Sequence, residues 1–261
     1  MKIGILYISI GKYSQFWNDF FLSSEKFFIP SVCKKYFVFS DNLNMCIKNT
    51  TFYYYSDLGW PGNTLYRFKI FLEHKNDYSD CDYLFFFNGN TLFKRTISIE
   101  ELIPSASENY LSALSWHVFR NKQNTIYPYE RNVASTAYIP MGEGQYYYQG
   151  GLNGGRAAEY IQLMEYCMNN IEEDDKYGLV AISNDESHLN KYLLDKKVKV
   201  LDTKYGRPEE WHFPFFPKII FRDKKRILGQ DYVRGLKKEN KTSRYSISRL
   251  LSKILKHWVW K

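Results

Sequence analysis

Tyr83-Leu84-Phe85-Phe86-Phe87 is an unbroken apolar run that ends abruptly at Asn88-Gly89-Asn90. A strand with one wet face alternates polar and apolar residues, so a run without alternation needs cover on both faces. Three earlier segments share this character: residues 2–10, Tyr36-Phe37-Val38-Phe39-Ser40-Asp41, and residues 51–55. Between them, residues 16–27 place Phe16, Phe20 and Phe21 at helical spacing, and residues 64–73 do so with Leu65, Phe68, Phe71 and Leu72. Strands alternating with helices predict an α/β fold with a mostly parallel sheet. Ligands of such sheets bind beyond the carboxyl ends of the strands, which is where Asn88-Gly89-Asn90 falls.

Further along, residues 111–116 read as a strand, and Tyr146-Tyr147-Tyr148-Gln149 leads into Gly150-Gly151-Leu152-Asn153-Gly154-Gly155. A helix is expected next, carrying Ala157, Tyr160, Ile161, Met164, Met168 and Ile171. Another starts near Asn184-Asp185-Glu186, and Val198-Lys199-Val200-Leu201 forms a late strand. With no repeat or linker in view, residues 1–230 are expected to be one catalytic domain and 231–261 a tail. Hydrophobic residues at 44% and charged residues at 25% argue against wholesale disorder, and most of the aromatic excess (18%) belongs in a core. Cys33, Cys46, Cys81 and Cys167 match no zinc spacing and are expected to be reduced, buried thiols. No apolar run approaches the length of a bilayer-spanning helix.

Four segments can carry chemistry. Asn88-Gly89-Asn90 occupies a place where two acids often hold a cation against a diphosphate. Amides are poor ligands for hard cations but can bond sugar hydroxyls, and the bland alternative is a turn. In Gln149-Gly150-Gly151-Leu152-Asn153-Gly154-Gly155 the glycines allow either close approach to a ligand or a pair of tight turns, and the following helix start can receive an anion. Asp185 and Glu186 are either helix-start acids or a carboxylate pair beside a glycosyl bond. Arg222-Asp223-Lys224-Lys225-Arg226 is a solvated face or a clamp on a leaving diphosphate. His188 is expected to be structural.

Taken in order, these segments resemble the glycosyltransferase family of the ABO blood-group transferases and α1,3-galactosyltransferase, glycosyltransferase family 6. The resemblance is carried by Ile3-Gly4 through Tyr13, Phe37-Val38-Phe39-Ser40-Asp41, Tyr66-Arg67, Asp82-Tyr83-Leu84 and Tyr129-Glu130-Arg131. It continues through Ala137-Tyr138-Ile139-Pro140, Tyr147-Tyr148-Gln149-Gly150-Gly151 and Asp185-Glu186-Ser187-His188-Leu189-Asn190-Lys191-Tyr192-Leu193-Leu194.

The resemblance implies a GT-A fold, a Rossmann-like sheet with flanking helices, and retaining α1,3 transfer from a UDP-sugar to a galactoside. Position by position, Ile8, Ser9, Ile10 and Tyr13 match the uridine-holding segment, and Arg67 matches a donor-contacting arginine. Gln149, Gly150 and Gly151 match the donor-selecting triplet, and Asp185 and Glu186 match the catalytic pair. His117 and Glu186 fall on the acceptor side, with a further acid near Glu209 or Glu210. Asn88 and Asn90 stand where animal members carry two aspartates. Losing both charges predicts no metal cofactor, with Lys224, Lys225 or Arg226 against the diphosphate instead. Gly151, lacking a side chain, favours UDP-N-acetylgalactosamine over UDP-galactose. Family analogy suggests a fucosylated galactoside, Fucα1,2-Gal, as acceptor.

The formal charge of +8 is uneven: residues 236–261 hold eight basic residues against Glu239 alone. Ile247, Leu250, Leu251, Ile254, Leu255 and Trp258 recur there at helical spacing, which suits a peripheral helix on an anionic membrane. Docking of that face on the catalytic domain is the alternative. Without a leader, a bacterial, cytoplasmic enzyme is expected, peripheral on the inner membrane face. Two other classes stay open: an inert nucleotide-sugar binder, and a nucleic-acid binder working through the tail. The near-neutral body argues against a nucleic-acid-binding surface spread over the domain.

Overall fold

A computed structural model describes residues 1–42, 47–116, 119 and 124–233 of the protein. The apolar runs form β1 (Lys2–Ile8), β2 (Cys33–Ser40), β3 (Thr50–Tyr54) and β4 (Tyr83–Phe87), with α1 (Trp17–Phe27), α2 (Gly59–Leu65) and α3 (Arg67–Leu72) between them. Two expected boundaries move. Residues 11–16 form a separate 3-10 turn before α1, and the segment at 64–73 breaks at Tyr66, whose φ/ψ of −95°/17° is not helical. After β4 come β5 (Thr91–Phe93), α4 (Ile99–Leu102), β6 (Leu111–Ser115) and β7 (Tyr148–Arg156). The chain continues through α5 (Ala157–Lys176), α6 (Asp185–Leu193), β8 (Lys199–Leu201), β9 (Arg207–Pro208), β10 (Ile219–Phe221), α7 (Lys224–Leu228) and α8 (Gln230–Val233).

Seven strands make the central sheet, in the order β3-β2-β1-β4-β7-β6-β8. All neighbours run parallel except β7, which is antiparallel to β4 and β6. The expected α/β architecture is therefore present, and alternate residues of each strand feed two cores. Leu6, Phe37, Phe39, Leu84 and Phe86 pack with Phe68 and Phe71 of α3, Tyr160 and Met164 of α5, and Leu189 of α6. Ile5, Tyr7, Val38, Phe85 and Phe87 pack on the other face against Trp17 and Phe20 of α1 and Leu102 of α4. A smaller sheet, β5-β10-β9, lies beyond the end of β4.

The glycine cluster is neither a pair of turns nor a phosphate cradle: it is the interior of β7. A Cβ on Gly154 would lie 2.4 Å from the Leu84 carbonyl oxygen, and one on Gly155 would lie 2.2 Å from that of Tyr110. These two glycines let β7 fit between its neighbours. The helix start after them is no free anion site, since the Ala157 N–H donates to the Asp82 carbonyl at 2.9 Å, at the opposite end of the sheet. Cys81 and Cys167 are buried, but Cys33 is exposed at the start of β2, contrary to expectation; Cys46 and the tail segment 234–261 lie outside the described residues. No helix among the described residues is long and apolar enough to cross a membrane.

Candidate active site

Because β1, β2 and β4 run parallel, Ser9, Asp41 and Asn88 emerge along one edge of the sheet. The Asn88-Gly89-Asn90 turn is fastened there from four sides. The Asn88 N–H donates to the Gly151 carbonyl at 2.8 Å, and its carbonyl accepts from the Thr91 N–H at 2.9 Å. The Gly89 carbonyl accepts from the buried Tyr7 hydroxyl at 2.7 Å. A Cβ at position 89 would lie 2.9 Å from Cδ1 of Tyr13 and 3.3 Å from the Ile8 carbonyl, so only glycine lets the uridine-matching segment approach. Within that segment Ser9 is fully buried and its Oγ has no partner, while Ile10 is packed into the core.

Asn90 is buried and spans the gap to β10. Its Nδ2 donates to the Arg222 carbonyl at 2.6 Å, and the Arg222 N–H returns a bond to the Asn90 carbonyl at 2.8 Å. Oδ1 is sealed from solvent without a partner. An aspartate here would press a carboxylate oxygen against the Arg222 carbonyl. A divalent-cation site does not fit these residues: the pair supplies amides rather than carboxylates, and one amide nitrogen is engaged as a donor. Among the described residues, no three of His, Cys, Asp and Glu converge as metal ligands.

The start of β7 faces the start of α6 across this edge. Arg67 is buried and donates through Nη1 to the Gly150 carbonyl at 2.9 Å, and through Nη2 to Oδ2 of Asp185. Its guanidinium lies over the Phe86 ring, 4.1 Å from the centroid. Burial, and the Glu186 charge, push the Asp185 carboxyl up to about 7, while Arg67 and the helix-start N–H groups pull it down.

Glu186 is no helix cap. Oε1 accepts from the Tyr147 hydroxyl and Oε2 from the Gly150 N–H, each at 2.5 Å. Burial raises its pKa as well, against these two bonds and the Arg67 charge. Asn184, before the pair, has φ 54° and ψ −129°, a strained setting for a residue with a side chain. Asn190 holds the two elements together: it accepts from the Tyr148 N–H at 2.8 Å and donates to the carbonyls of Tyr148 and Glu186 at 2.7 and 2.8 Å.

Gln149 is buried beside these groups, and Gly151 has an unexpected neighbour. A Cβ on Gly151 would meet the Phe221 ring at 2.7 Å, so the space freed by the missing side chain is filled by that ring. Of the basic run, Arg222 pairs with Asp19 at 2.5 Å and Arg226 with Glu209 at 3.1 Å. Glu209 also accepts from the Asp223 N–H, which ties it to the frame of the small sheet. Lys225 is exposed. Lys224 is half-buried and pairs with no carboxylate among the described residues, and burial lowers its pKa. It stands two residues from the Asn90 partner.

Ile8, Ser9, Tyr13, Asn88, Asn90, Arg67, Gln149, Gly150, Gly151, Asp185, Glu186 and Lys224 thus fall on one edge of the fold. His117 lies outside the described residues. His188 is buried under the site, 3.8 Å from Asp174, and burial depresses its pKa. Sequence reasoning assigned no role to Tyr147, Asn190 or Phe221. The first two lie inside motifs already quoted, and Phe221 carries no local signal. Also unforeseen is Tyr232, whose hydroxyl accepts from the Lys12 N–H at 2.8 Å and roofs the segment after β1.

Residues 1–220 match the family model described as Glycosyltransferase family 6. The chain is 35% identical over 234 residues to the O-antigen biosynthesis glycosyltransferase WbnI of Escherichia coli, covering 87% of this chain and 96% of that protein. It is 27% identical to the Globoside alpha-1,3-N-acetylgalactosaminyltransferase 1 of Homo sapiens, over 78% of this chain and 60% of that protein. With the Histo-blood group ABO system transferase 1 of Rattus norvegicus, identity is 30% over the same shares.

Proposed function

The chain belongs to glycosyltransferase family 6 and so moves a hexose from a nucleotide-sugar donor to a glycan acceptor, and from that premise we propose a metal-independent, retaining α1,3-N-acetylgalactosaminyltransferase. The observation that carries the reading is Glu186, fixed through Oε1 by the Tyr147 hydroxyl and through Oε2 by the bare backbone of Gly150.

In the proposed reaction the bond between the sugar C1 and the UDP oxygen breaks, its electron pair leaving with the diphosphate. The acceptor oxygen bonds C1 and passes its proton to the departing diphosphate. Retention needs a negative group near C1, either bonding it in a two-step displacement or facing an oxocarbenium-like centre while the acceptor enters beside the leaving group. Glu186 is that group. Arg67 and Asp185 hold the β7–α6 junction, and Lys224 offsets charge developing on the diphosphate, the part a cation plays elsewhere. Support for metal independence comes from the engaged amide of Asn90.

UDP-N-acetylgalactosamine is the donor in this reading. Gly150 and Gly151 leave the wall beside Glu186 without side chains, and the Phe221 ring must turn aside for an N-acetyl group to enter. A fucosylated galactoside remains the proposed acceptor, by family analogy. The test is product analysis with UDP-N-acetylgalactosamine or UDP-galactose, a fucosylated lactose acceptor, and EDTA. An α1,3-linked N-acetylgalactosamine product formed equally well in chelator is expected. Faster transfer of galactose would overturn the donor, and a demand for manganese would overturn the mechanism.

A further inference from the structure

The loop joining β9 to β10 reads Glu209-Glu210-Trp211-His212-Phe213-Pro214-Phe215-Phe216-Pro217-Lys218. Phe213, Phe215 and Phe216 are 60%, 73% and 70% exposed, three large apolar rings within four residues. A contiguous exposed apolar patch of this kind marks a contact surface rather than ordinary surface scatter.

The loop is held in place at its base. Arg207 Nη1 donates to the Pro214 carbonyl at 2.9 Å, and the Lys94 N–H donates to the Lys218 carbonyl at 2.8 Å. The Glu209 N–H donates to the Phe221 carbonyl at 2.8 Å, which roots the loop on the strand whose ring lies against Gly151.

Charge decides what the rings meet. Between Trp211 and Lys218 there is no acidic residue. Arg95 lies over the Phe216 ring, 4.8 Å from its centroid, and Lys94 and Arg95 are exposed without a carboxylate partner among the described residues. A sugar platform sets polar side chains around a ring to catch hydroxyls, and none stands between Phe213 and Pro217. Rings without hydrogen-bonding groups, rimmed by free cations, instead match the boundary between acyl chains and anionic headgroups.

We propose that the β9–β10 loop docks the catalytic domain on an anionic phospholipid bilayer, with Phe213, Phe215 and Phe216 in the acyl boundary and Lys94 and Arg95 at the headgroups. This contact is separate from the basic segment 236–261 and does not depend on which sugar is transferred.

The test uses the full chain with vesicles of phosphatidylcholine alone or mixed with phosphatidylglycerol. The protein is expected to sediment with the mixed vesicles, and the combined variant Phe213→Ser, Phe215→Ser, Phe216→Ser to partition about tenfold or more weakly at unchanged thermal midpoint. Independently, an environment-sensitive dye on Phe215→Cys, in a Cys33→Ser background, should shift to the blue on the mixed vesicles. That reading keeps the test alive if the triple variant fails to fold. Sedimentation without a dye shift assigns binding to the 236–261 segment and overturns the proposal. A triple variant that sediments normally but shows a raised KM for a soluble acceptor overturns it too, making the loop a sugar contact.

Discussion

Arg67 and Asp185 form an ion pair sealed on both sides, their side chains 6% and 1% exposed. The same guanidinium holds the Gly150 carbonyl, so one side chain fastens the start of α6 to the start of β7. Removing Arg67 leaves the buried Asp185 carboxyl without its partner, so it must either take up a proton or stay charged at a cost. Arg67→Ala is expected to cost about 3–5 kcal/mol of stability, read from urea unfolding. Arg67→Lys keeps the charge but loses the fork that reaches two acceptors, and should fold yet transfer sugar at least about tenfold more slowly. A lysine variant with wild-type turnover would show that the pair serves folding alone.

Tyr147 and Glu186 make a prediction about pH. In the proposed mechanism the working form of Glu186 is the carboxylate, and burial raises its pKa, so kcat/KM should fall as pH drops through a value above the ordinary glutamate range. Asp185, pushed up to about 7, titrates beside it with the same sign, so the acidic limb belongs to the pair. The Tyr147 hydroxyl stabilises the ionised form. Tyr147→Phe removes that donor and should move the limb to higher pH by about one unit, with the plateau at alkaline pH nearly kept. A limb that stays in place would separate the hydroxyl from the carboxylate's ionisation.

In the proposed reading, Gly151 and Phe221 carry donor choice between them. Gly151→Ser drives a side chain into the ring at 2.7 Å, and either the ring moves into the sugar space or the strand shifts. Transfer of N-acetylgalactosamine is expected to fall about tenfold more than transfer of galactose, the scale of a misfitted small group in a pocket. Adding Phe221→Ala should restore part of the loss. Equal losses for both donors would place the N-acetyl group elsewhere.

Much of this was legible in the sequence because it is periodic or local. The run Tyr83–Phe87 announces a doubly covered strand, and its stop at Asn88 marks the edge where the site lies. Asp185 and Glu186 were legible from their motif. Contacts set by long-range approach were not. Gly154 and Gly155 look like turn residues until β4 and β6 are seen to close on them from either side. Phe221 reaches Gly151 from far along the chain, through a strand of three residues with no pattern of its own. The Gly151 reading therefore found room where the fold had placed a ring.

Asn90 gives the sharpest test of metal independence, because its amide has a structural partner that a carboxylate cannot keep. Nδ2 donates to the Arg222 carbonyl at 2.6 Å in a buried setting. In Asn90→Asp, two acceptor oxygens would face each other there, which is expected to cost about 1–3 kcal/mol or more. The strand that ends at Phe221, and α7 with Lys224 just after it, should loosen with it. Restoring both acids, as Asn88→Asp with Asn90→Asp, is therefore expected to lower activity without making it respond to manganese. The contrast is Asn88→Asp alone, whose side chain is half-buried and not engaged with β10, and which should fold normally. Urea unfolding and transfer assays with and without manganese read both effects. A double variant that is as stable as the wild type and activated by manganese would mean that the amides merely replaced a metal site the fold still retains.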